Sequence, residues 1–356
     1  MKKQDLNLYI GSSDLSLVAA MQRIDSNGRG ILFLTDKDGR LAGSVTDGDI
    51  RRWLIKTAKL DVSISDIMNP SPKTLMEKEA ESAVGYMKRV AVKVLPVINE
   101  SRQIVDIIFE SDQNVGRNKV VQSQLHDVAV VVMAGGKGTR LFPYTKILPK
   151  PLIPIGDIPI MERILDRFCG FGVKEFFATV NYKKNMIISY FSDNEKKYKI
   201  NYVEENKPLG TAGSIKLITE KFEKPFIVTN CDILIEADYN DIYRFHVESG
   251  NKLTIVGALK NIVVPYGVLN TKENGSVISL EEKPSFSKFI NTGMYILNPD
   301  LVDEIPEDTF FHMTDLAEKL LQKGERVGMY PVSEDSFLDM GEFAEMQRME
   351  EKLKKQ

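Results

Sequence analysis

The spacing of hydrophobic and polar residues predicts two different halves of the chain. Within the first 110 residues an amphipathic stretch, an apolar run, a polar turn and a second apolar run occur in that order, and the same order then occurs again. The first copy is SLVAAMQRI (16–24), ILFLT (31–35) and LAGSV (41–45), and the second is SAVGYMKRV (82–90), VLPVI (94–98) and IVDIIF (104–109). This recurrence predicts an internal repeat of helix, strand, turn and strand.

Polar residues dominate positions 111–127, SDQNVGRNKVVQSQLHD, as is typical of a linker. We therefore predict an α+β domain at 1–115, a linker at 116–127 and a second domain at 128–356. Beyond the linker, strand-like and helix-like stretches alternate. Strands are predicted at 128–133, 175–181, 199–205, 226–229, 253–259, 267–270, 277–281, 294–297 and 327–332, and helices at 160–171 and 211–222. The alternation predicts an α/β domain with a mixed, mostly parallel sheet.

Composition narrows the class of protein. The 356 residues include 47 Lys and Arg against 50 Asp and Glu, so no positive field favours binding to nucleic acid. No apolar run approaches the roughly 18 residues of a membrane helix, and the first residues, MKKQD, lack the apolar region of a signal peptide. Two cysteines are too few for a disulfide framework. We expect a cytoplasmic protein that binds neither membrane nor nucleic acid.

The most informative stretch, VAVVVMAGGKGTRLFPYTKILPKPLIPIG, begins with the first strand of the second domain. Gly135, Gly136 and Gly138 follow that strand, at the sheet edge where open α/β sheets bind ligands. Glycines let backbone N–H groups approach an anion, and Arg140 adds a donor for phosphate oxygens. Neither the P-loop pattern nor G-x-G-x-x-G is present. The stretch therefore predicts a nucleotide-phosphate loop of another kind, and the alternative for AGG alone is a tight turn.

The segment MAGGKGTRLFPYTKILPKPLIPI (133–155) resembles the signature of the sugar-phosphate nucleotidyltransferases, which make nucleoside-diphosphate sugars. Other family landmarks follow in order: PLGTAGSI (208–215), TNCD (229–232), PYGVL (265–269), EEKP (281–284), NTGMY (291–295), MTD (313–315) and FLDMG (337–341). The resemblance covers about residues 127–349. It implies a Rossmann-like (GT-A-like) domain in which a sugar-1-phosphate attacks the α-phosphate of a nucleoside triphosphate and releases pyrophosphate.

The same resemblance implies roles for individual residues. The catalytic residues would be Arg140, Lys150, Asp232 and Lys283, and the nucleotide-binding residues Ala134, Gly135, Gly136, Gly138, Thr139, Glu205, Gly210 and Thr211. The sugar-binding residues would be Gly267, Glu282, Asn291 and Thr292, and the Mg²⁺ ligands Asp232 and Asp339. Catalysis of this kind is mainly positioning and charge neutralisation, and carboxylates suit a hard divalent ion that also takes phosphate oxygens. As isolated residues, these carboxylates and small residues would cap helices and form turns. Cys231 receives no role.

Two adjacent glutamates precede PLGTAG. A carboxylate only accepts hydrogen bonds, which matches the neighbouring N1–H and N2–H₂ donors of guanine. Glu205 occupies the position at which thymidylyl and uridylyl relatives carry glutamine, so the resemblance favours GTP. The alternative is that Glu204 and Glu205 are both solvated.

The segment GSVTDGDIRR (43–52) resembles the G-x-x-T-x-x-D signature of cystathionine-β-synthase (CBS) domains, whose pairs bind adenine nucleotides. The resemblance covers about residues 7–112 and implies a CBS-pair domain. The implied ligands of AMP or ATP are Thr46, Asp49, Arg51 and Arg52, whereas the second copy has Asp106, Phe109 and Asp112 at the signature positions. Either one competent site remains, or the pair serves only dimer contacts. We expect a homo-oligomer.

A CBS pair ahead of a nucleotidyltransferase resembles the enzymes of legionaminic and related nonulosonic acid pathways, which activate glucosamine-1-phosphate with GTP. The resemblance implies transfer of GMP to that sugar phosphate. The alternatives are guanylyl transfer to mannose-1-phosphate, uridylyl or thymidylyl transfer to glucose-1-phosphate, cytidylyl transfer to a sugar acid, and an adenine-nucleotide sensor with an inactive transferase domain. The intact charges Arg140, Lys150, Asp232, Lys283 and Asp339 favour an active enzyme over the sensor.

Overall fold

The computed structural model describes residues 6–90, 92–109, 125–192, 198–341 and 343–353. The chain divides into two compact units, Met1–Lys119 with Lys260–Lys288 and Val120–Leu259 with Phe289–Gln356. Most of the linker that the sequence predicts, 116–124, lies outside the described residues. No helix in the described ranges is long and apolar enough to cross a membrane.

The N-terminal part of the first unit is built from two copies of one motif. Its elements are β1 (Ile10–Ser12), α1 (Leu17–Asn27), β2 (Ile31–Thr35), β3 (Leu41–Thr46), α2 (Asp47–Thr57), β4 (Leu75–Met76), α3 (Ala83–Val90), β5 (Val94–Ile98) and β6 (Ile104–Phe109), with 3-10 turns at Leu6–Leu8, Ile64–Asp66 and Glu77–Ser82. The copies form separate sheets, β1-β2-β3 and β4-β5-β6. In each, the first two strands are parallel, the last two are antiparallel, and the middle strand has a register shift near its end. The predicted repeat is confirmed.

Local chemistry explains where the helix of the first copy begins. The Ser16 hydroxyl accepts a hydrogen bond from the Ala19 N–H and so satisfies one of the donors that a helix N-terminus leaves without a partner. Leu17, Met21 and Ile24 then lie on one buried face. The helix ends at Gly28, which adopts the left-handed conformation that glycine tolerates best.

The rest of the chain alternates strands and helices. The strands are β7 (Val130–Ala134), β8 (Pro154–Ile155), β9 (Ile158–Pro159), β10 (Glu175–Val180), β11 (Lys199–Glu204), β12 (Phe226–Asn230), β13 (Ile233–Ile235), β14 (Leu253–Val263), β15 (Gly267–Thr271), β16 (Val277–Glu282), β17 (Ser285–Leu297), β18 (Val327–Val332) and β19 (Phe337–Asp339). The helices are α4 (Tyr144–Ile147), α5 (Ile160–Gly170), α6 (Lys184–Ser192), α7 (Gly210–Gly213), α8 (Tyr239–Ser249), α9 (Met313–Gln322) and α10 (Phe343–Leu353), with 3-10 turns at Thr139–Leu141, Lys150–Leu152, Ser214–Leu217 and Pro299–Glu304.

The second unit is organised around a seven-stranded sheet of order β11-β10-β7-β12-β17-β14-β18. Parallel pairs join β11, β10, β7 and β12, and also β14 and β18, whereas β12 and β17 are antiparallel. Val130 and Val132 of β7 pack into one hydrophobic cluster with α5. Val131 and Met133 pack into a second cluster with α9. The sheet is therefore covered on both faces, and the predicted mixed, mostly parallel sheet is confirmed.

The helix predicted at 211–222 is wrong in extent. The structure has only α7 and the 3-10 turn Ser214–Leu217. The N–H groups of Ala212 and Gly213 both donate to the carbonyl of Phe311, so a neighbouring segment, rather than a longer helix, orders this turn. Phe222 lies outside the turn and stacks on Phe226 at 4.1 Å between ring centroids, because aromatic burial outweighs the helical propensity of this stretch.

Candidate active site

A cavity of about 370 Å³ opens at the carboxyl end of β7, within the second unit. It is lined by most of the residues predicted to bind the nucleotide and phosphates: Gly135, Gly136, Gly138, Thr139, Arg140, Lys150, Glu205, Gly210, Thr211 and Asp232. Ala134 is the buried last residue of β7. The structure thus brings together residues that are far apart in the sequence.

The three loop glycines meet different surroundings. Gly138 has φ +63°, and a Cβ there would lie 2.9 Å from the Thr145 side chain. A Cβ on Gly135 would lie 2.5 Å from Oε1 of Glu205, which is closer than carbon and oxygen can approach. Gly136, in contrast, has no other described atom within 4 Å of the same position. Gly138 is therefore required by its backbone conformation and its neighbours. A side chain at Gly135 would displace the Glu205 carboxylate, whereas one at Gly136 would meet no such contact among the described residues.

Arg140, Lys150 and Asp232 line the cavity, and Asp339 lies close to all three. Lys150 and Asp232 form an ion pair whose side chains are only 10% and 13% exposed. The pairing of β13 with β19 places Asp339 opposite Ile233, and thus beside Asp232. A Cβ on Gly341 would lie 3.0 Å from Asp339 Oδ2 and 3.1 Å from Arg140 Nη1, so these two charges flank the same backbone.

Burial, followed by the negative charge of Asp232, raises the pKa of Asp339, while Lys150 and Arg140 oppose that shift. Two carboxylates in a low-dielectric site are costly unless cations balance them. The described residues contain no group of three or more His, Cys, Asp or Glu side chains suited to hold a metal ion. Two carboxylates nevertheless fit Mg²⁺, which takes one or two protein ligands and fills its shell with water and substrate phosphate.

Glu205 is buried in the cavity wall. Its side chain accepts a hydrogen bond from the Leu209 N–H (3.3 Å), and its backbone carbonyl accepts one from Asn181 Nδ2 (2.7 Å). The residue is 7% exposed, and burial raises the pKa of its carboxyl, although the Leu209 N–H and the Thr179 hydroxyl stabilise the ionised form. Glu204 is exposed and pairs with Lys184. The alternative that both glutamates are solvated is therefore correct for Glu204 and wrong for Glu205.

The loop Leu209–Gly213 rests on a segment at 309–312. A Cβ on Gly210 would lie 2.6 Å from the carbonyl oxygen of Phe311, and the Phe311 N–H donates to the Leu209 carbonyl at 2.9 Å. The hydroxyl of Thr211 lies 3.4 Å from Nδ1 of His312 and accepts a bond from the Met313 N–H at 3.0 Å.

Five further cavity residues were missed by sequence reasoning: Met133, Thr179, Pro208, Asn230 and Phe310. Asn230 lies in the TNCD landmark, and Thr179 lies near the end of a predicted strand, so both could have been found. Phe310 carried no such signal. Cys231 also lines the cavity, and burial raises the pKa of its thiol to about 12, so the thiol stays protonated and takes no nucleophilic role at neutral pH.

Part of the predicted sugar site lies on the β15–β16 hairpin, in the first unit. Gly267 and Glu282 are direct cross-strand partners, and a Cβ on Gly267 would lie 3.1 Å from Glu282 Oε2. Lys283 follows β16 with φ +47°, a conformation uncommon for residues other than glycine. That these residues serve the cavity stays a prediction.

The other two predicted sugar ligands lie on β17. Asn291 Nδ2 donates to the Tyr295 hydroxyl at 2.7 Å, and Asn291 Oδ1 accepts from the Gly293 N–H at 3.0 Å. Thr292 is buried, and its hydroxyl donates to the Val256 carbonyl at 2.8 Å. The Thr292 hydroxyl would have to break its hydrogen bond to Val256 in order to donate one to a sugar.

The predicted adenine-nucleotide ligands of the first unit bond to one another. Asp49 accepts from the Thr46 N–H (2.9 Å) and hydroxyl (2.6 Å) and also pairs with Arg52, so Thr46 and Asp49 form the capping box of α2. Arg51 pairs with Asp47. In the second copy, Phe109 is buried, Asp106 accepts from its neighbouring Ile107 N–H, and Asp112 lies outside the described residues. A cavity of about 530 Å³ in that copy is lined by Met76, Glu77, Lys78, Ile98, Asn99, Glu100 and Ser101.

Two parts of the chain match known protein families. Residues 129–356 match the model of the Nucleotidyl transferase family, and residues 8–56 match that of the CBS domain. The first match covers well over half of the chain, and the second covers the first of the two N-terminal copies.

Two curated relatives bear on the nucleotide. A UTP–glucose-1-phosphate uridylyltransferase of Synechocystis sp. is 34% identical over 232 residues, 59% of this chain and 59% of that protein. A mannose-1-phosphate guanyltransferase of Yarrowia lipolytica is 37% identical over 183 residues, 49% of this chain and 50% of that protein. The match thus spans between half and three fifths of these relatives.

Among solved structures, HddC from Yersinia pseudotuberculosis is similar with a TM-score of 0.51 and 30% identity, over 64% of this chain and 99% of that one. The same protein complexed with GMP-PN gives a TM-score of 0.50 and 29% identity, over 64% of this chain and 99% of that one.

Proposed function

The chain belongs to the nucleotidyl transferase family, and we propose that it transfers GMP from GTP to a hexose-1-phosphate, giving a GDP-sugar and pyrophosphate. The observation that carries this proposal is that Arg140, Lys150 and Asp232 line one cavity together with the glycine loop, with Asp339 close to Asp232. Two phosphorylated substrates repel each other, so a site that joins them needs fixed cations and a phosphate cradle.

In the proposed reaction an oxygen of the sugar phosphate forms a bond to the α-phosphorus of GTP, and the bond from that phosphorus to the bridging oxygen breaks in line. The electron pair leaves with pyrophosphate. The N–H groups of the glycine loop hold the triphosphate, Arg140 stabilises the leaving pyrophosphate and Lys150 neutralises the reacting phosphates. Lys283 holds the incoming sugar phosphate. Asp232 and Asp339 would hold Mg²⁺, which supplies further charge neutralisation when bound.

Glu205 supports guanine as the base. A carboxylate that lines a nucleotide cavity can accept further hydrogen bonds from its ligand, and guanine offers two adjacent donors whereas uracil and thymine offer a single N–H. The guanyltransferase relative and the structural neighbour complexed with GMP-PN support the same choice. The uridylyltransferase relative keeps UTP as the alternative nucleotide.

For the sugar we propose glucosamine-1-phosphate, with mannose-1-phosphate and glucose-1-phosphate as alternatives. Glu282 of the hairpin, the cross-strand partner of Gly267, would pair with the 2-ammonium group. Asn291 would contact a sugar hydroxyl. This part of the proposal is supported by the order of the sequence motifs and the arrangement of CBS and transferase domains.

We propose that the N-terminal domain binds AMP or ATP or assembles the chain into a homo-oligomer, and that the protein acts in the cytoplasm. The capping box supports the assembly role, since a nucleotide would have to share Thr46 and Asp49 with the N-terminus of α2. Both cysteines, which lie in described parts of the chain, are free thiols, as expected in a reducing compartment.

The decisive experiment measures pyrophosphate release with GTP, UTP, dTTP and CTP against a panel of hexose-1-phosphates, with and without Mg²⁺. We expect turnover with GTP that requires Mg²⁺ and is fastest with glucosamine-1-phosphate. Preference for UTP or dTTP would contradict the role of Glu205, and release from no combination would contradict the enzymatic function.

A further inference from the structure

Phe310 is a large apolar side chain left in solvent at the cavity wall. It lines the cavity and is 59% exposed. Its chain neighbours behave differently, because Phe311 packs against a hydrophobic cluster and Met313 is fully buried within it. The ring of Phe311 therefore faces the core, whereas the ring of Phe310 faces the cavity.

The wall that carries Phe310 is fixed to the nucleotide loop. Gly210 and Phe311 are in backbone contact, and the loop N–H groups of Ala212 and Gly213 donate to the Phe311 carbonyl. The ring of Phe310 packs edge-on against His312, with 4.7 Å between ring centroids and 80° between planes. The ring therefore has a defined place beside the cavity rather than a free position in solvent.

Two hydrogen bonds connect this wall with Glu205. The Leu209 N–H donates to the Glu205 carboxylate at 3.3 Å, and the Leu209 carbonyl accepts from the Phe311 N–H at 2.9 Å. Glu205 is buried and polar, whereas the neighbouring Phe310 is apolar and exposed. A planar heterocycle matches this pair, since its edge carries donors and its face is apolar.

We propose that Phe310 is a nucleoside-positioning residue whose ring covers the face of the base that Glu205 recognises by its edge. The inference rests on the proposed function and adds that contact with the face of the base and recognition of its edge are made by different residues. Stacking on an aromatic ring is tolerant of sequence because every base has a π-face. Phe310 thus strengthens binding of all nucleoside triphosphates, with only the modest differences that come from stacking strength, and Glu205 selects among them by hydrogen bonding.

The test measures binding of GTP and of UTP by calorimetry, without sugar phosphate, in wild type and Phe310→Ala. We expect the Kd to rise roughly 5- to 150-fold for both nucleotides, the range that loss of one base–aromatic stack gives, with only a modest change in their ratio. The KM for GTP rises while kcat at saturating GTP and the KM for the sugar phosphate stay near wild type. Phe310→Trp retains tight binding, and Phe310→Leu, which keeps bulk but has no π-face, lies between.

Leu321→Ala is the matched control, because Leu321 is equally exposed on α9 and does not line the cavity. Its nucleotide Kd should equal that of wild type. Unchanged nucleotide Kd in Phe310→Ala would overturn the inference while turnover of the wild type leaves the proposed function intact. A rise confined to the KM of the sugar phosphate, or a rise in Kd for one nucleotide and not for the other, would also overturn it. A wild type that neither binds a nucleotide nor releases pyrophosphate would contradict both.

Discussion

Lys150 and Asp232 form an ion pair at the base of the cavity. Lys150 is proposed to neutralise the reacting phosphates, and Asp232 is proposed to bind the metal ion. A buried ammonium beside a carboxylate neutralises it and so competes with a cation for the same oxygen. Nucleotide phosphates that draw Lys150 away free Asp232 for a metal ion, so metal and nucleotide should each increase the affinity for the other.

Replacement of Lys150 by methionine should therefore have opposite effects on metal and on nucleotide. Without nucleotide, we expect Lys150→Met to bind Mn²⁺ about 10-fold more tightly than wild type, equivalent to roughly 1.4 kcal/mol, because Asp232 loses its competing cation. Transfer should fall by two orders of magnitude or more. Electron paramagnetic resonance counts free Mn²⁺ in the first measurement. Mn²⁺ binding that is equal or weaker in the variant would refute the competition.

Glu205 and Glu204 provide a matched pair for base selection. Glu205→Gln replaces one acceptor by an amide donor, so we expect kcat/KM with GTP to fall about 10- to 100-fold, as for loss of 1–3 kcal/mol of base discrimination, while UTP improves. Glu204→Gln, at the exposed neighbouring position, should keep wild-type values. Steady-state measurement of kcat/KM with GTP and with UTP tests this expectation. Equal effects of the two variants would exclude selection by Glu205.

The same carboxyl sets a dependence on pH. Burial raises the pKa of Glu205, so its stabilising contribution is fully present below the ordinary pKa of a glutamate and is lost as pH rises through the raised value. Glu205→Gln should consequently raise the melting temperature at pH 7 more than at pH 4. Preference for GTP over UTP should decline as pH falls through the same value. Melting curves and kinetics over this range test both, with Glu204→Gln showing neither change.

Gly136 permits a test of the phosphate loop that leaves the fold untouched. A methyl group there meets no described atom within 4 Å, so Gly136→Ala should melt at the wild-type temperature. It would enter the space proposed for the triphosphate, and we expect the KM for GTP to rise about 10-fold, the effect of roughly 1.4 kcal/mol. Gly135→Ala, which would strike Glu205, should lower stability as well. Normal kinetics in Gly136→Ala would argue against a phosphate cradle.

Asp49 separates ligand binding from helix capping in the N-terminal domain. Asp49→Ala removes an acceptor of the α2 capping box, and we expect a loss of about 1 kcal/mol in stability even without nucleotide. Asp49→Asn keeps an acceptor and should lose less. Thermal shift with AMP and with ATP then measures binding. A nucleotide that raises the melting temperature of wild type and not of Asp49→Asn supports a regulatory site, and no shift in wild type leaves only assembly.

Motifs at strand ends were predictable from the sequence. A glycine cluster or a carboxylate that follows an apolar run lies where the strand ends, at the edge of the sheet, and its residue type indicates which ligand it can bind. The glycine loop was singled out in this way, whereas Asp232 was assigned through the family resemblance, and the roles of both stay predictions. The approach of Asp339 to Asp232 depends on the pairing of two three-residue strands, which no periodicity reveals. The family resemblance, rather than local pattern, supplied that ligand.

Long-range contacts account for the remaining errors. The helix predicted at 211–222 stops early because the Phe311 carbonyl takes the N–H groups of its first turn. The exposure of Phe310 likewise depends on which side of the segment 309–312 faces the loop Leu209–Gly213. The local sequence FFHMTD does not show which side that is. Local sequence gives the propensity of a segment, whereas its neighbour decides the outcome.

The contact between Gly135 and Glu205 also constrains how this protein could change. A side chain at position 135 would displace the Glu205 carboxylate from its place, whereas a shorter residue at 205 makes space for a side chain at 135. The effects of substitutions at the two positions are therefore coupled. A change of nucleotide preference costs less stability when it begins at 205.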